Sequence, residues 1–155
     1  MPTDVTELVR KSLIEELETL RDEVRQAAES LTDQELWRKP IEPGNSVGNL
    51  ILHLTGNLNH FVGAQLGGTG YVRDRDREFS ESESVPRKIL LANLDKAIAT
   101  FRQVVSGLSA DQLASTHPTE KFGSVLKTLV HLVAHFALHR GQVSYIVRMV
   151  KSPAN

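Results

Sequence analysis

The chain has 155 residues and a formal net charge of −1. This length suits one domain with a sizeable buried core, so we expect a single domain over residues 1–155. The charge argues against a nucleic-acid partner, because such binding depends on clustered Lys and Arg that displace counterions from phosphate. The sequence contains no cysteine, which excludes a disulfide framework and a protein thiol as ligand or nucleophile. A metal site would therefore use His, Asp or Glu, and thiol chemistry would need a thiol from a second molecule.

Signals for membrane insertion and for export are missing from the sequence. No apolar run reaches the roughly 18 residues of a membrane span. The first residues, Met1–Asp4, lack the basic and apolar character of a signal peptide. We therefore expect a cytoplasmic protein with no membrane partner.

Four stretches of the chain repeat apolar residues with the 3.6-residue period of an amphipathic helix. In chain order, these predicted long helices span residues 4–30, 46–66, 87–108 and 124–150. A short extra helix is expected after Thr32, because Thr32 and Glu35 have the spacing of a capping box. Asn45 and Ser46 can cap the second long helix, and the fourth long helix is expected to stop before Pro153.

The connections between these helices carry charged and polar residues. The segment Arg73–Phe79 alternates basic and acidic residues, a pattern typical of a solvated loop. His117 lies in the last connection, next to Pro118, and is also expected to be solvated. Because no alternating strand pattern occurs, the elements predict an all-α fold: an up-down four-helix bundle with long connections.

Histidines in the fourth helix form the strongest functional pattern. His131, His135 and His139 fall at i, i+4 and i+8, so they lie near one helix face, and each i, i+4 pair has Cβ atoms about 5–6 Å apart. Two imidazoles at that spacing can bind one metal ion, and His53, among apolar residues of the second helix, can supply a third nitrogen. The spacing leaves open whether the pair is His131/His135 or His135/His139, with the remaining histidine beside the site.

Other polar residues are placed to contact a ligand imidazole or a substrate. Two of them flank His53 at i−4 and i+4, one follows it by two helical turns, and one follows the histidine stripe. These candidates are Asn49, Asn57, His60 and Gln142. For each, an ordinary position on a helix surface is the alternative. Gly141, in the middle of the fourth helix, is expected to allow close packing of the two helices that carry the site.

Several established catalytic motifs are missing. The sequence has no glycine-rich phosphate loop of the P-loop or dinucleotide-binding type. Leu132 stands where the H-E-x-x-H zinc proteases carry their glutamate, and the Glu-x-x-His motif of di-iron bundles is absent from the fourth helix. The sequence indicates no protein general base.

Three motifs stand out when the chain is taken as a whole. They are Asn45-Ser46-x-Gly48-Asn49-x-x-x-His53-Leu54-x-Gly56-Asn57, the charged segment Arg73–Phe79, and His135-x-x-x-His139-Arg140-Gly141-Gln142. Together they resemble the DinB-like (YfiT-like) superfamily, and in particular its short-chain branch of unassigned function. The resemblance covers essentially the whole chain and is most specific in the His-Arg-Gly-Gln ending paired with a histidine in the second helix.

The resemblance implies a four-helix bundle, often homodimeric, that holds a divalent metal through three histidines. Carried onto this chain, the ligands are His53, His135 and His139, which leaves His131 as a neighbour. Relatives often have a second histidine directly before that of the final motif, where this chain has Leu138. Zinc or nickel is the expected metal, and iron, copper and manganese are open alternatives.

Some relatives are metal-dependent enzymes that use a low-molecular-weight thiol such as bacillithiol or mycothiol. The leading hypothesis is therefore a metal-dependent thiol S-transferase, or a metal-dependent hydrolase, acting on a small electrophilic molecule. The competing hypothesis is a non-catalytic metal-binding or stress-response bundle with a structural or regulatory site. An open coordination position favours the enzyme, and a closed site with four protein ligands favours the alternative. A third hypothesis is a metal-free interaction module whose histidines line a small-ligand pocket.

Overall fold

The computed structural model describes residues 4–152, and this part of the chain folds into seven α-helices. They are α1 (Val5–Glu29), α2 (Asp33–Trp37), α3 (Val47–Leu58), α4 (Arg75–Ser80), α5 (Arg87–Ser106), α6 (Ala110–Ala114) and α7 (Val125–Lys151). A π-helical turn, Asn59–Ala64, continues α3, and a 3₁₀ turn, Glu120–Phe122, precedes α7. The four predicted long helices are confirmed as α1, α3, α5 and α7. Pro153 and residues 1–3 lie outside the described residues.

The predicted helix caps are present and set where the site helices begin. Ser46 Oγ accepts a hydrogen bond from the Asn49 backbone N–H (3.0 Å), and Asn49 Oδ1 accepts one from the Ser46 N–H (3.1 Å). This reciprocal pair is a capping box at the start of α3. Thr32 and Glu35 form the predicted box at α2, and Ser124 caps α7. Because these caps satisfy backbone donors that the helix itself cannot, the helix starts follow from local sequence.

The four long helices form a ring around one hydrophobic core. Helix α1 packs against α5 and α7, and α3 packs against the same two helices. Helices α1 and α3 are consecutive among the long helices, yet they occupy opposite corners of the bundle, so the connection between them crosses one end. The core draws on all four helices and includes Leu17, Val24, Ile51, Leu54, Leu94, Phe101, Leu129 and Phe136. This ring order places α3 beside α7, the two helices that carry the candidate ligands.

The segment Arg73–Phe79 differs from its predicted solvated loop, because residues 75–80 form α4 and one of its side chains is buried. Glu78 is only 5% exposed, while its charged neighbours Arg75, Asp76 and Arg77 face solvent. Asn49 fastens α4 to α3, since its Nδ2 donates to the carbonyls of Glu78 (3.0 Å) and Glu81 (2.9 Å). The alternating charges correctly indicate the exposed face of this short helix, but they give no sign that one charged residue faces the interior.

Two further expectations are wrong. His117 is fully buried: its Nδ1 accepts from the Thr119 N–H (3.0 Å), so its Nε2–H donates to the Phe61 carbonyl (2.9 Å) in the π-helical turn. The imidazole thus satisfies a backbone acceptor at a break in the α-helical pattern.

Gly141 does not serve close packing inside the bundle, because a Cβ atom there would meet nothing within 4 Å. No helix between residues 4 and 152 has the length and hydropathy needed to cross a membrane.

Candidate metal centre

Three imidazole nitrogens from two helices meet at one point. His53 Nε2 lies 3.1 Å from His135 Nε2, and His135 Nε2 lies 3.0 Å from His139 Nε2. The ligand atoms of the three residues all lie within 4.8 Å of one another. His53 is buried, and His135 and His139 are half-buried. The structure therefore brings together the three residues that the resemblance implies as ligands.

The structure also distinguishes between the two histidine pairs that the i, i+4 spacing leaves open. His131 lies on the exposed part of α7, where its ring stacks on Phe122 with centroids 5.3 Å apart. Its ring centroid lies 6.3 Å from that of His135, compared with 4.4 Å between His135 and His139. Because α3 approaches α7 at the height of the second pair, His131 is left as a neighbour of the cluster.

The spacing and protonation of these nitrogens fit a divalent metal. Nitrogen ligands about 2.0–2.1 Å from one ion lie roughly 2.9–3.4 Å from each other, which agrees with the separations of 3.0 and 3.1 Å. Burial, together with the neighbouring imidazoles, lowers the pKa of His135 from 6.5 to about 3. Burial also lowers the pKa of His139. Both rings are therefore neutral at physiological pH, the form that coordinates metals.

Gln142 orients one of the candidate ligands. His139 Nδ1 lies 2.7 Å from Gln142 Oε1, so Nδ1–H donates to that oxygen and the lone pair of Nε2 points at the cluster. Metal-binding histidines commonly donate their second N–H to an oxygen acceptor, which fixes both ring orientation and tautomer. The structure thus places Gln142 beside the cluster, where its contact is with an imidazole.

Arg73 and Glu78 lie behind His53, and sequence reasoning missed both. Arg73 Nη2 lies 3.2 Å from His53 Nδ1, and Glu78 Oε2 lies 3.5 Å from the same nitrogen. Burial raises the pKa of the Glu78 carboxyl, but hydrogen bonds and opposite charge from His53 and Arg73 outweigh it and hold that pKa below its usual value. The family motif includes this charged segment, and that is the one signal that could have pointed to a role for it.

A cavity of about 410 Å³ lies over the cluster and is lined by all three histidines. Its wall includes Asn57, whose Oδ1 is buried without a hydrogen-bond partner. The other predicted contacts differ from expectation. Asn49 is occupied with capping α3 and binding α4, and His60 packs on Phe61 instead of lining this cavity.

Among the described residues, no fourth His or carboxylate joins the three histidines. Three protein nitrogens facing a cavity leave room for an exogenous ligand, as in catalytic zinc sites, whereas structural sites are closed by four protein ligands. The arrangement can therefore hold a metal and present it to a small molecule in the cavity.

Solved structures similar to this one include the following two. A conserved protein from Enterococcus faecalis is 17% identical, with a TM-score of 0.75 over 96% of this chain and 98% of that chain. YfiT from Bacillus subtilis, described as a probable metal-dependent hydrolase with an unusual four-helix bundle topology, is 21% identical. Its TM-score is 0.72 over 90% of this chain and 86% of that chain. At these identities the similarity establishes the fold, and the predicted four-helix bundle is confirmed.

Family membership follows from the sequence match. No curated protein matches the chain. A family model described as mycothiol-S-transferase matches residues 12–150. This match confirms the DinB-like resemblance. It also names a thiol-using family within that superfamily, which no motif in the sequence indicates by itself. The chain belongs to the mycothiol-S-transferase family.

Proposed function

We propose that this protein is a divalent-metal-dependent S-transferase that joins a low-molecular-weight thiol to a small electrophile. His53, His135 and His139 hold the metal, with zinc or nickel as the expected ion. The observation that carries the proposal is the convergence of three imidazoles on a cavity with no fourth protein ligand among residues 4–152. Family membership supports the thiol, and the absence of cysteine means that the sulfur must arrive with the substrate.

A divalent ion lowers the pKa of a thiol that it coordinates, which makes thiolate available near neutral pH. In the transfer, the thiol would lose its proton to solvent, its sulfur would form a C–S bond with the electrophilic carbon, and the leaving group would depart with its electron pair. The aromatic rings of Phe61, Phe79 and Phe122 line the cavity and restrict water around the reacting atoms. Asn57 also lines the cavity, and its buried Oδ1 has no hydrogen-bond partner among the described residues.

Hydrolysis is the second candidate, since the same site would accept water. No carboxylate lines the cavity among the described residues. The imidazole of His131 does line it, outside the three-histidine cluster, and could serve as general base for an attacking water. Family membership is what favours a thiol over water as the attacking group.

The test is conjugation of a fluorogenic alkyl halide by the metal-loaded protein, with mycothiol, bacillithiol and glutathione compared as the thiol. We expect at least about 10-fold acceleration over thiol alone with one of them, and none after chelation or in His139→Ala. Cleavage of an activated ester without any thiol would instead support the hydrolase. Stoichiometric metal without acceleration of either reaction would support a non-catalytic site.

We also infer a homodimer that forms through the exposed face of α7. Leu138 and Tyr145 are 61% and 64% exposed, and with Ile41 they line an apolar groove of about 830 Å³. Gly141 lies in the same groove, where its missing side chain permits close approach of a second helix. Large exposed apolar patches commonly mark interfaces.

Introducing a charge into this groove is expected to shift the protein from dimer to monomer. Tyr145→Arg would place a guanidinium at the centre of the interface, where it would be desolvated without a partner. The molar mass in solution, measured by light scattering, should halve. Ile89→Arg is the matched control, because Ile89 is an exposed apolar residue on α5 outside the groove. A monomeric wild-type protein, or an unchanged dimer in Tyr145→Arg, would contradict this interface.

A further inference from the structure

Glu78 and Arg73 form a buried ion pair directly behind His53. Arg73 Nε donates to Glu78 Oε1 (2.8 Å), and Arg73 Nη2 donates to Glu78 Oε2 (3.0 Å). Both side chains are largely buried, at 11% and 6% exposure. Because desolvation offsets most of the attraction, such a pair contributes little stability compared with apolar residues of the same size. Its position beside His53 therefore points to a role other than stability.

The pair faces the ring nitrogen of His53 that does not point at the cluster. Nε2 faces His135, whereas Nδ1 faces Arg73 Nη2 and Glu78 Oε2. Arginine can only donate, so a bond from Arg73 to Nδ1 would require the proton to be on Nε2, where it blocks coordination. A proton on Nδ1 can instead be donated to the Glu78 carboxylate, which leaves the Nε2 lone pair free. Of these two neighbours, the carboxylate is thus the one that selects the tautomer able to bind a metal.

The backbone around His53 is shaped to admit this carboxylate. A Cβ atom on Gly56, one helical turn after His53, would lie 2.5 Å from Glu78 Oε1 and 3.0 Å from its Cδ. Glycine in a helix interior weakens the helix, and here it lets the carboxylate lie against α3. Asn49, one turn before His53, binds the carbonyls of Glu78 and Glu81. Helix α4 is therefore fastened to α3 on both sides of the histidine.

We propose that Glu78 is the positioning residue of the metal site: it accepts the Nδ1–H of His53, and Arg73, Gly56 and Asn49 hold it in place. The proposal rests on the proposed function, since it assumes that His53 binds a metal. It explains why the motif Asn49-x-x-x-His53-x-x-Gly56 occurs together with the charged segment that follows α3. The motif forms the contact surface for α4, and α4 delivers the carboxylate.

The test compares Co²⁺ binding by the full chain, followed by the visible absorption of the bound ion, in wild type and in Arg73→Met/Glu78→Met. The double substitution removes both charges at similar volume, so the fold is expected to persist. Without the carboxylate, we expect the Co²⁺ Kd to rise roughly 10–100-fold and the absorption bands to shift. The matched control is Arg77→Met/Glu81→Met, which removes a second Arg–Glu pair (3.4 Å), between α4 and the residue that follows it, that does not face the histidines.

A second variant keeps every charge. Gly56→Ala should displace the Glu78 carboxylate and weaken Co²⁺ binding in the same direction, which keeps the test valid if the double variant does not fold. Wild-type affinity and an unchanged spectrum in the folded Arg73→Met/Glu78→Met variant would overturn the role of Glu78 and leave the proposed function standing. Failure of the wild-type protein to bind Co²⁺ would overturn both.

Discussion

Replacing His135 with alanine is expected to reduce bound zinc or nickel from about one ion per chain to almost none. His135 is the central member of the cluster, with its Nε2 within 3.1 Å of both other ligand nitrogens. Loss of one of three ligands should weaken affinity by roughly 100-fold or more. Elemental analysis of the purified protein measures the metal content. Calorimetric titration of the metal into protein stripped with a chelator measures the affinity.

His131→Ala is the matched control for this experiment, because it removes an imidazole one turn away on the same helix. His131 stacks on Phe122 outside the cluster, so the variant should keep its metal. Should His131→Ala lose its metal while His139→Ala retains it, the ligand set would instead be His53, His131 and His135. That outcome would mean that α3 meets α7 one turn earlier than the structure shows.

The metal-free protein, prepared by treatment with a chelator, is expected to lose stability steadily as the pH falls from about 6.5 towards 5. In the folded protein the pKa of His135 is about 3, against 6.5 for a free imidazole, so below pH 6.5 the unfolded chain binds a proton that the folded chain does not. The free energy of unfolding then falls with pH, by at most about 1.4 kcal/mol per pH unit for one histidine. His135 is half-buried, and solvent screening makes the actual slope smaller.

Urea unfolding at several pH values measures this slope, and His135→Leu is the comparison variant because it removes the titrating ring from the same position. Its slope between pH 6.5 and 5 should be shallower than that of wild type. Titration of Glu78 does not affect the slope between pH 6.5 and 5. Its pKa is lowered in the folded protein, so the stability that it contributes is lost only as the pH falls below about 4.5. Equal slopes in the two proteins would show that His135 is not held in its neutral form.

The part of the candidate site that the sequence predicts is the local part. The pair of histidines at i, i+4 follows from helical geometry, and the burial of His53 follows from its apolar neighbours in α3. From the sequence, only the family resemblance chooses between His131 and His139, because both have the same spacing from His135. In the structure, the choice is made by the height at which α3 crosses α7. That height depends on packing over the whole length of both helices.

Residues that support the site are largely hidden from sequence reasoning. Glu78 follows His53 by 25 positions, in a segment whose alternating charges suggest solvent exposure, yet its side chain is buried and its carboxylate lies against Gly56. His117 differs from its expected solvated position for a similar reason. Its partner is a carbonyl at residue 61, freed by a π-helical turn that no residue pattern announces.

By itself, the sequence determined the four long helices, their caps and the all-α class, because helical periodicity and capping depend on residues within about four positions of one another. Three features became known only from the tertiary structure: the order of α1, α5, α3 and α7 around the bundle, the burial of the Glu78 side chain, and the exposed position of Gly141. These features depend on how complementary helix surfaces pack across the core. The helix surfaces that meet belong to segments far apart in the chain, so no local pattern specifies which of them pair or at what height.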